Sequence, residues 1–227
     1  MRLRRRDCNS LPSGLGFNHK ELTTLDTMEI TSDQVKHLRD KTGAGMMDCK
    51  KALAESAGNM EKAIDYLRKK GAATAEKRAD RITNQGLVEA YIHAGGRIGA
   101  MVEVNCETDF VAKTDDFKSL ARDIAMQIAA MNPQYIMQED VPKSVQDHEL
   151  EIYRTQARND KKPEQVLERI ATGKLEKFYQ DVCLLEQTFI KDSGKTIKDL
   201  ILDISAKTGE KVTVRRFKRF HLGENGL

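Results

Sequence analysis

Apolar residues recur at helical spacing immediately after position 31. Val35 and Leu38 share one face of this first helix, and Thr31 or Ser32 is a suitable N-cap. The two glycines of TGAG at 42–45 favour the left-handed backbone that ends a helix. The pattern therefore predicts a helix from about position 31 that ends within this glycine-containing stretch.

Two further helices are predicted on either side of the Gly58-Asn59 break. Their apolar positions are Met46, Cys49 and Leu53 in one, and Met60, Ala63, Ile64 and Leu67 in the other. Together the three helices predict a small helical domain at 28–71. The Ala-rich, charged stretch at 72–84 has no strong apolar face, so it predicts a linker that can itself be helical.

The apolar period changes from near 3.6 to 2 in LVEAYIHAGGRIGAMVEVN. The apolar set alternates with its neighbours on both sides of Gly95-Gly96, and consists of Val88, Ala90, Ile92, Ile98, Ala100, Val102 and Val104. This alternation predicts a β-hairpin with that set on one buried face.

Helical spacing returns at Phe117 and ends near Asn132-Pro133. The stretch at 142–190 is predicted to be helical, with a break at 161–163 and a second possible break at Gly173. Its apolar stripe is either a core face or a partner-packing face, and comprises Leu175, Phe178, Val182, Leu185 and Phe189.

The chain is predicted to end in one more helix and one more strand. The helix lies around 196–207, and KVTVRRFKRF forms the strand, with Val212 and Val214 on one face. The predicted fold class is α+β: an N-terminal three-helix bundle followed, at 85–227, by an antiparallel sheet packed with helices.

Charge and cysteine content narrow the function classes. The net charge of the 227 residues is only +3, and the first 27 residues contribute +2 of it. No broad basic surface for nucleic acid is expected. The four cysteines have no CxxC spacing, so reduced thiols in a cytoplasmic protein are the simplest interpretation. No apolar run is long enough to predict a membrane span.

Residues 1–27 are predicted to be a disordered tail, or to precede the true start at Met28. The Arg-rich beginning leaves an organellar transit peptide as an alternative, although Asp7, Glu21 and Asp26 and the lack of an apolar segment count against it.

The motifs that could carry chemistry do not support an enzyme. SGKT at 193–196 is not a phosphate-binding loop, because that loop needs a glycine where Phe189 stands; a helix-start turn is the better interpretation. The histidines lack metal-ligand spacing, and no nucleophile–base set is evident, so no catalytic residue, metal or cofactor is expected. VRRFKRF is interpreted as a charged edge strand, with single-strand nucleic-acid binding as the alternative.

TDFVAKTDDF, at 108–117, follows the hairpin directly. The acidic pair Asp115-Asp116 favours the start of a helix at Phe117. From pattern alone, Thr108 can be an N-cap and Phe110 can fill the core.

Four stretches resemble the elongation factor Ts family, the guanine-nucleotide exchange factors of elongation factor Tu. VNCETDFVAKTDDF at 104–117 is similar to the family signature. KHLRDKTGAGMMDCKKALAESAGNMEKAIDYLRKKG at 36–71 resembles the family's N-terminal, ubiquitin-associated-like domain. KLEKFYQDVCLLEQTFIKD and VRRFKRFHLGE resemble its C-terminal part. The resemblance runs from about Met28 to Glu224.

The resemblance implies a function and a site. In this family an Asp-Phe tip pushes into the G domain of elongation factor Tu, dislodges magnesium and loosens GDP. Its counterpart here is Thr108, Asp109, Phe110 and Val111, with Phe110 as a wedge and Val111 free to pack inward. The expected partner is elongation factor Tu, GDP-bound or nucleotide-free, with no membrane and no direct nucleic-acid binding.

The single hairpin is similar to that of short family members, which work as homodimers, whereas longer members have two copies of the core. The 175–185 stripe is a candidate surface for such a dimer. The competing function is a ribosome- or RNA-associated protein that uses VRRFKRF and the Arg-rich tail, which would bind RNA with a steep salt dependence.

Overall fold

The structure is a computed structural model that describes residues 30–161 and 163–224. The tail predicted at 1–27 lies outside these residues. The helices of the described residues are α1 (Ser32–Thr42), α2 (Met46–Glu55), α3 (Met60–Lys77), α4 (Asp109–Ala112), α5 (Asp115–Met131), α6 (Lys143–Asn159), α7 (Glu164–Val182) and α8 (Ile197–Thr208). The strands are β1 (Gln85–Ile92), β2 (Ile98–Cys106), β3 (Thr188–Phe189), β4 (Asp192–Thr196) and β5 (Thr213–His221). The predicted α+β fold class is confirmed.

Helices α1 to α3 pack around a small core of their own. Thr31 is the N-cap of α1 and forms a capping box with Gln34, and Gly43 ends the helix with a φ of 67°. The side chains buried between the helices are Val35, Leu38, Cys49, Ala52, Leu53 and Ala63. Helix α3 continues to Lys77, so the first part of the predicted linker is helical.

The larger sheet is antiparallel and has the strand order β1-β2-β5. Helix α5 packs on one face of it, and its apolar side joins the strands in the main core. Gly95 and Gly96 turn the hairpin with φ values of 90° and 68°, as the glycine pair predicts. The turn is closed by a 2.8 Å hydrogen bond from the His93 amide to the Ile98 carbonyl.

The prediction for the buried face of β1 is wrong. Leu87 and Tyr91 pack against the core, whereas Val88 is 58% and Ile92 is 72% exposed. The pairing of Leu87 with Val104 and of Tyr91 with Ala100 explains this, because residues opposite each other in a ladder point to the same face. The outer face of the sheet therefore carries Val88 and Ile92 as exposed apolar side chains.

Strand β5 contains a β-bulge. Val104 pairs with Val214 while the neighbouring Glu103 pairs with Arg216, so Arg215 is an extra residue. Val212 and Val214 are both buried in the main core, which agrees with their predicted place on one face. The bulge shifts the alternation after them.

Helices α6 and α7 form an antiparallel pair joined by a break near the predicted position. Helix α7 passes through Gly173 without a break and ends at Val182. The rest of the predicted helical stretch is a short 3-10 helix, Leu184–Glu186, followed by the β3-β4 hairpin, which was not predicted. The Arg154 guanidinium of α6 donates two hydrogen bonds, of 2.9 and 2.7 Å, to the Glu168 carboxylate of α7.

Candidate functional site

The tip segment, residues 108–111, connects the central strand to the longest helix of the main core. Strand β2 ends at Cys106, Thr108 is the N-cap of the one-turn helix α4, and Thr114 is the N-cap of α5. Thr108 Oγ1 accepts from the Val111 amide at 3.5 Å, and Thr114 Oγ1 accepts from the Phe117 amide at 3.3 Å. The predicted cap at Thr108 is confirmed. Helix α5 begins at Asp115, two residues before the predicted start.

Phe110 points into solvent, with 79% of its surface exposed. The residues after it turn inward: Val111 packs against the main core, and Ala112 is buried. The interpretation of Phe110 as a core residue is therefore wrong. The phenylalanine buried in the main core is Phe117, in the first turn of α5. An exposed aromatic side chain next to residues that pack into the core is available for a partner.

Asp109, the neighbour of Phe110, forms an ion pair with Lys113. Lys113 Nζ donates to Asp109 Oδ2 at 2.6 Å, one helical turn away. This hydrogen bond from Lys113 lowers the pKa of the Asp109 carboxyl. Both side chains are substantially exposed, so the pair gives the tip a fixed charge pattern more than it gives stability.

Cys106 is buried in the main core and hydrogen-bonds the backbone of the tip segment. Its thiol donates to the Thr108 carbonyl at 3.1 Å, and burial raises its pKa to about 11. A protonated, buried thiol is a hydrogen-bond donor here rather than a nucleophile.

Two glutamates link the tip to the turn between α8 and β5. Glu210 accepts from the amides of Glu107 and Thr108 at 3.1 and 3.0 Å. Glu107 accepts from the Lys211 amide at 2.6 Å, and that bond, followed by the contact with Arg81, lowers the Glu107 pKa. Neither glutamate was predicted as a site residue. No local signal marks Glu210, because its partners lie 102 and 103 residues away.

The other candidate motifs have structural roles. Thr196 of SGKT is the N-cap of α8 and forms a capping box with Asp199, as the helix-start interpretation predicts. VRRFKRF lies in an edge strand; Arg216 bonds Glu103, and Arg219 bonds the Ala129 carbonyl.

The 175–185 stripe is divided between helix α7 and the segment after it. Leu175 is buried, Phe178 and Val182 are half-buried, and Leu185 packs against the main core. Core packing is thus favoured over a dimer surface.

In residues 30–161 and 163–224, no three His, Cys, Asp or Glu side chains are grouped so that they could hold a metal ion. Over the same residues, no helix combines the length and apolar character needed to cross a membrane.

The fold and the tip define an α+β protein whose candidate site is an exposed contact residue on a braced turn. The family model "Elongation factor TS" matches residues 27–224. The chain belongs to the elongation factor Ts family.

Individual relatives agree with this assignment. The chain is 62% identical over 195 residues to elongation factor Ts of Moorella thermoacetica, covering 86% of this chain and 96% of the relative. It is 62% identical over 195 residues to that of Carboxydothermus hydrogenoformans, covering 86% of this chain and 90% of the relative. It is 57% identical over 199 residues to that of Thermotoga neapolitana, covering 88% of this chain and 100% of the relative.

Proposed function

We propose that this chain is a guanine-nucleotide exchange factor that binds elongation factor Tu with GDP and promotes GDP release. Membership of the elongation factor Ts family supports this partner. The activity forms and breaks no covalent bond; it requires only that the factor bind the nucleotide-free partner more tightly than the GDP-bound one.

Phe110 is the wedge in this proposal. The observation that carries it is the 79% exposure of an aromatic side chain on a turn that is capped at Thr108 and anchored by the buried Ala112. Insertion between helices of the partner's G domain would displace the groups that hold magnesium. In this proposal Thr108 and Asp109 precede the wedge as the N-cap and the first residue of α4, and Val111, which follows it, packs against the main core.

The wedge supplies only part of the exchange effect. Burying one phenylalanine contributes roughly 1.5–3 kcal/mol, and each tenfold weakening of GDP binding requires about 1.4 kcal/mol. Phe110 alone therefore accounts for about one to two decades of affinity. Larger effects need additional contacts, for which the exposed Met46 and Met47 at the start of α2 are candidates.

The coupling between factor and nucleotide is reciprocal. If the factor lowers the affinity of the partner for GDP, then GDP lowers the affinity of the partner for the factor by the same ratio. GTP, once bound, releases the factor for another cycle on the same principle.

Release of a fluorescent GDP analogue from elongation factor Tu tests the proposal. The wild-type chain should accelerate release, and Phe110→Ala should lose at least about tenfold of the acceleration, as the burial energy implies. Ile190→Ala is the matched control, because Ile190 is another exposed apolar side chain, 41% exposed, on the β3-β4 turn.

Three outcomes distinguish the parts of this proposal. Loss confined to Phe110→Ala supports both the function and the wedge. Equal acceleration by wild type and Phe110→Ala would retain the function and exclude the wedge. No acceleration by the wild-type chain would contradict the exchange function itself.

We further propose that the chain forms a homodimer through the outer face of the larger sheet. This face carries Val88, Ile92, Met101 and Phe220, which are 58%, 72%, 49% and 66% exposed. Ile92 and Phe220 flank Gly99 in the ladder, and a shallow, mostly apolar groove lies between them. A face of this kind is suited to packing against a second sheet.

Light scattering at working concentration tests the dimer. The expected mass is about twice the 25.6 kDa of one chain. Ile92→Glu should return the mass to that of one chain, while Ile190→Glu, the same change outside the sheet, should leave it doubled. A wild-type mass of one chain would contradict the dimer.

A further inference from the structure

We infer that Glu210 is a positioning residue for the Phe110 tip, an inference that rests on the proposed exchange function. Glu210 does not have to touch the partner in this role. It lies in the turn between α8 and β5 and holds the backbone from which the tip projects.

The Glu210 carboxylate binds three groups at the base of the tip. Its Oε2 accepts from the Glu107 amide at 3.1 Å and from the Thr108 amide at 3.0 Å. Its Oε1 accepts from the Thr108 hydroxyl at 2.5 Å. The two amides immediately precede α4 and have no place in a helix or ladder, so Glu210 fixes the direction in which α4 begins.

The hydroxyl bond also sets the Thr108 rotamer. The Thr108 hydroxyl donates a hydrogen bond to Glu210 Oε1, and its oxygen accepts one from the Val111 amide. A four-residue helix has too few internal bonds to hold its own shape, so its orientation depends on this cap. Glu210 therefore acts on Phe110 through Thr108.

The bracing is reciprocal across the two segments. While Glu210 accepts from the tip, Glu107 accepts from the Lys211 amide at 2.6 Å. Each segment thus supplies a carboxylate to the backbone of the other. Such crossed bonds resist both sliding and rotation of the tip relative to the turn.

The same turn is bound to the end of the N-terminal helices. Ser205 of α8 donates its hydroxyl to the Glu210 carbonyl, and its own carbonyl accepts from Arg78 Nη1 at 3.0 Å. Lys211 Nζ donates to the carbonyls of Ala79 and Arg81. The 209–211 turn is thus bonded both to the tip and to the chain at the end of α3. These bonds fix the position of the tip relative to α3, so that the tip and the N-terminal helices can contact one partner at the same time.

Two substitutions at Glu210 separate positioning from simple folding. Glu210→Ala removes all three bonds, whereas Glu210→Gln keeps an oxygen for the amides but loses the charge. Glu176→Ala, a change at an exposed glutamate of α7, is the matched control. We expect the maximal GDP-release rate at saturating factor to fall at least about tenfold for Ala and less for Gln, as expected when charge-assisted bonds are lost.

A double-mutant cycle with Phe110→Ala tests whether the effect passes through the tip. If Glu210 positions Phe110, its removal should have little further effect once Phe110 is alanine. Full multiplication of the two losses would overturn the inference, because it would mean that Glu210 acts independently of Phe110.

Amide hydrogen exchange on the free chain supplies a readout that does not depend on elongation factor Tu. Glu210→Ala should speed exchange of the Glu107 and Thr108 amides at least about tenfold, as for loss of a charge-assisted bond, while the Val102 amide in β2 keeps its protection. Unchanged exchange at 107 and 108 would overturn the positioning role. Failure of the wild-type chain to release GDP would contradict the proposed function but leave this result standing.

Discussion

Phe110 and Phe117 lie on consecutive helices of one connection, yet the first is 79% exposed and the second has no exposed surface. Both phenylalanines belong to the motif TDFVAKTDDF, but their side chains have different environments. Phe117 anchors α5 in the main core, and Phe110 remains in solvent, where the proposed contact with elongation factor Tu would be made.

This division predicts opposite behaviour for two similar substitutions. Phe117→Ala should lower the free energy of unfolding by about 3–5 kcal/mol, because it opens a cavity in a packed core. Phe110→Ala should change it by no more than about 0.5 kcal/mol, because the side chain is in water. Urea denaturation measures both values. A large loss of stability in Phe110→Ala would contradict the exposed placement.

Gly86 is the glycine that the sheet tolerates least well as alanine. Its φ is 150°, and an added Cβ would lie 2.1 Å from the Val104 carbonyl oxygen. Gly86→Ala should therefore destabilise the hairpin by more than about 1 kcal/mol. Gly173→Ala in α7 should instead stabilise by about 0.5–1 kcal/mol, since that position is helical and open. Thermal unfolding of the two variants compares them directly, and equal shifts would contradict the Gly86 contact.

Gln127 is a buried polar residue whose amide is fully used. It donates to Gln187 Oε1 and to the Thr188 carbonyl at 3.2 and 3.1 Å, and it accepts from the Ile190 amide at 3.0 Å. Gln127→Leu should cost about 1–3 kcal/mol, because it leaves the amide of Ile190 without its acceptor.

Gln180→Leu on the exposed side of α7 is the control for Gln127→Leu. It should change stability by less than about 0.5 kcal/mol. Denaturant midpoints with unchanged slopes provide the comparison, and similar losses in both variants would show that the buried network contributes nothing specific.

The three cysteines of the described residues are all buried. Burial raises the pKa of Cys106 and of Cys183 to about 11, and also raises that of Cys49. At pH 8 the thiolate fraction of Cys106 is thus about 100-fold below that of a thiol with the ordinary pKa. In a Cys8→Ser background, a maleimide reagent should leave the native chain unlabelled.

Denaturant should expose all three thiols of that variant to the same reagent. The direction with pH follows from the raised pKa: labelling of the native chain should increase as pH rises towards 11, because the thiolate then forms. Stoichiometric labelling of the folded chain at pH 8 would contradict the burial.

Most of the helices and strands could be predicted from the sequence. Caps at Thr31 and Thr108, the glycine turn at 95–96 and the end of α5 near Asn132 all follow from local chemistry, and the structure contains each of them. The orientation of β1 could not be obtained in this way. Alternation identifies two faces, but the pairing with β2 decides which face meets the helices.

The candidate site, too, could be predicted only in part. The resemblance identifies Phe110 as an exposed wedge, whereas the pattern alone places it in the core, and its 79% exposure contradicts the core position. Glu210 was beyond reach, since its bonds to Glu107 and Thr108 depend on how the α8-β5 turn docks. The bulge at Arg215 was also missed, because a period of 2 contains no sign of an inserted residue.

The contact between Glu210 and Thr108 has a consequence for biosynthesis. The chain is made from its N-terminus, so Thr108 leaves the ribosome well before Glu210, and the hairpin emerges before β5 can pair with β2. A nascent chain that has reached only the middle of α8 therefore contains every residue of the proposed wedge but lacks Glu210, whose carboxylate bonds the base of the tip. The proposed ability to promote GDP release should therefore appear late in translation, when the last strand joins the sheet. Incomplete chains should not promote GDP release from the proposed partner.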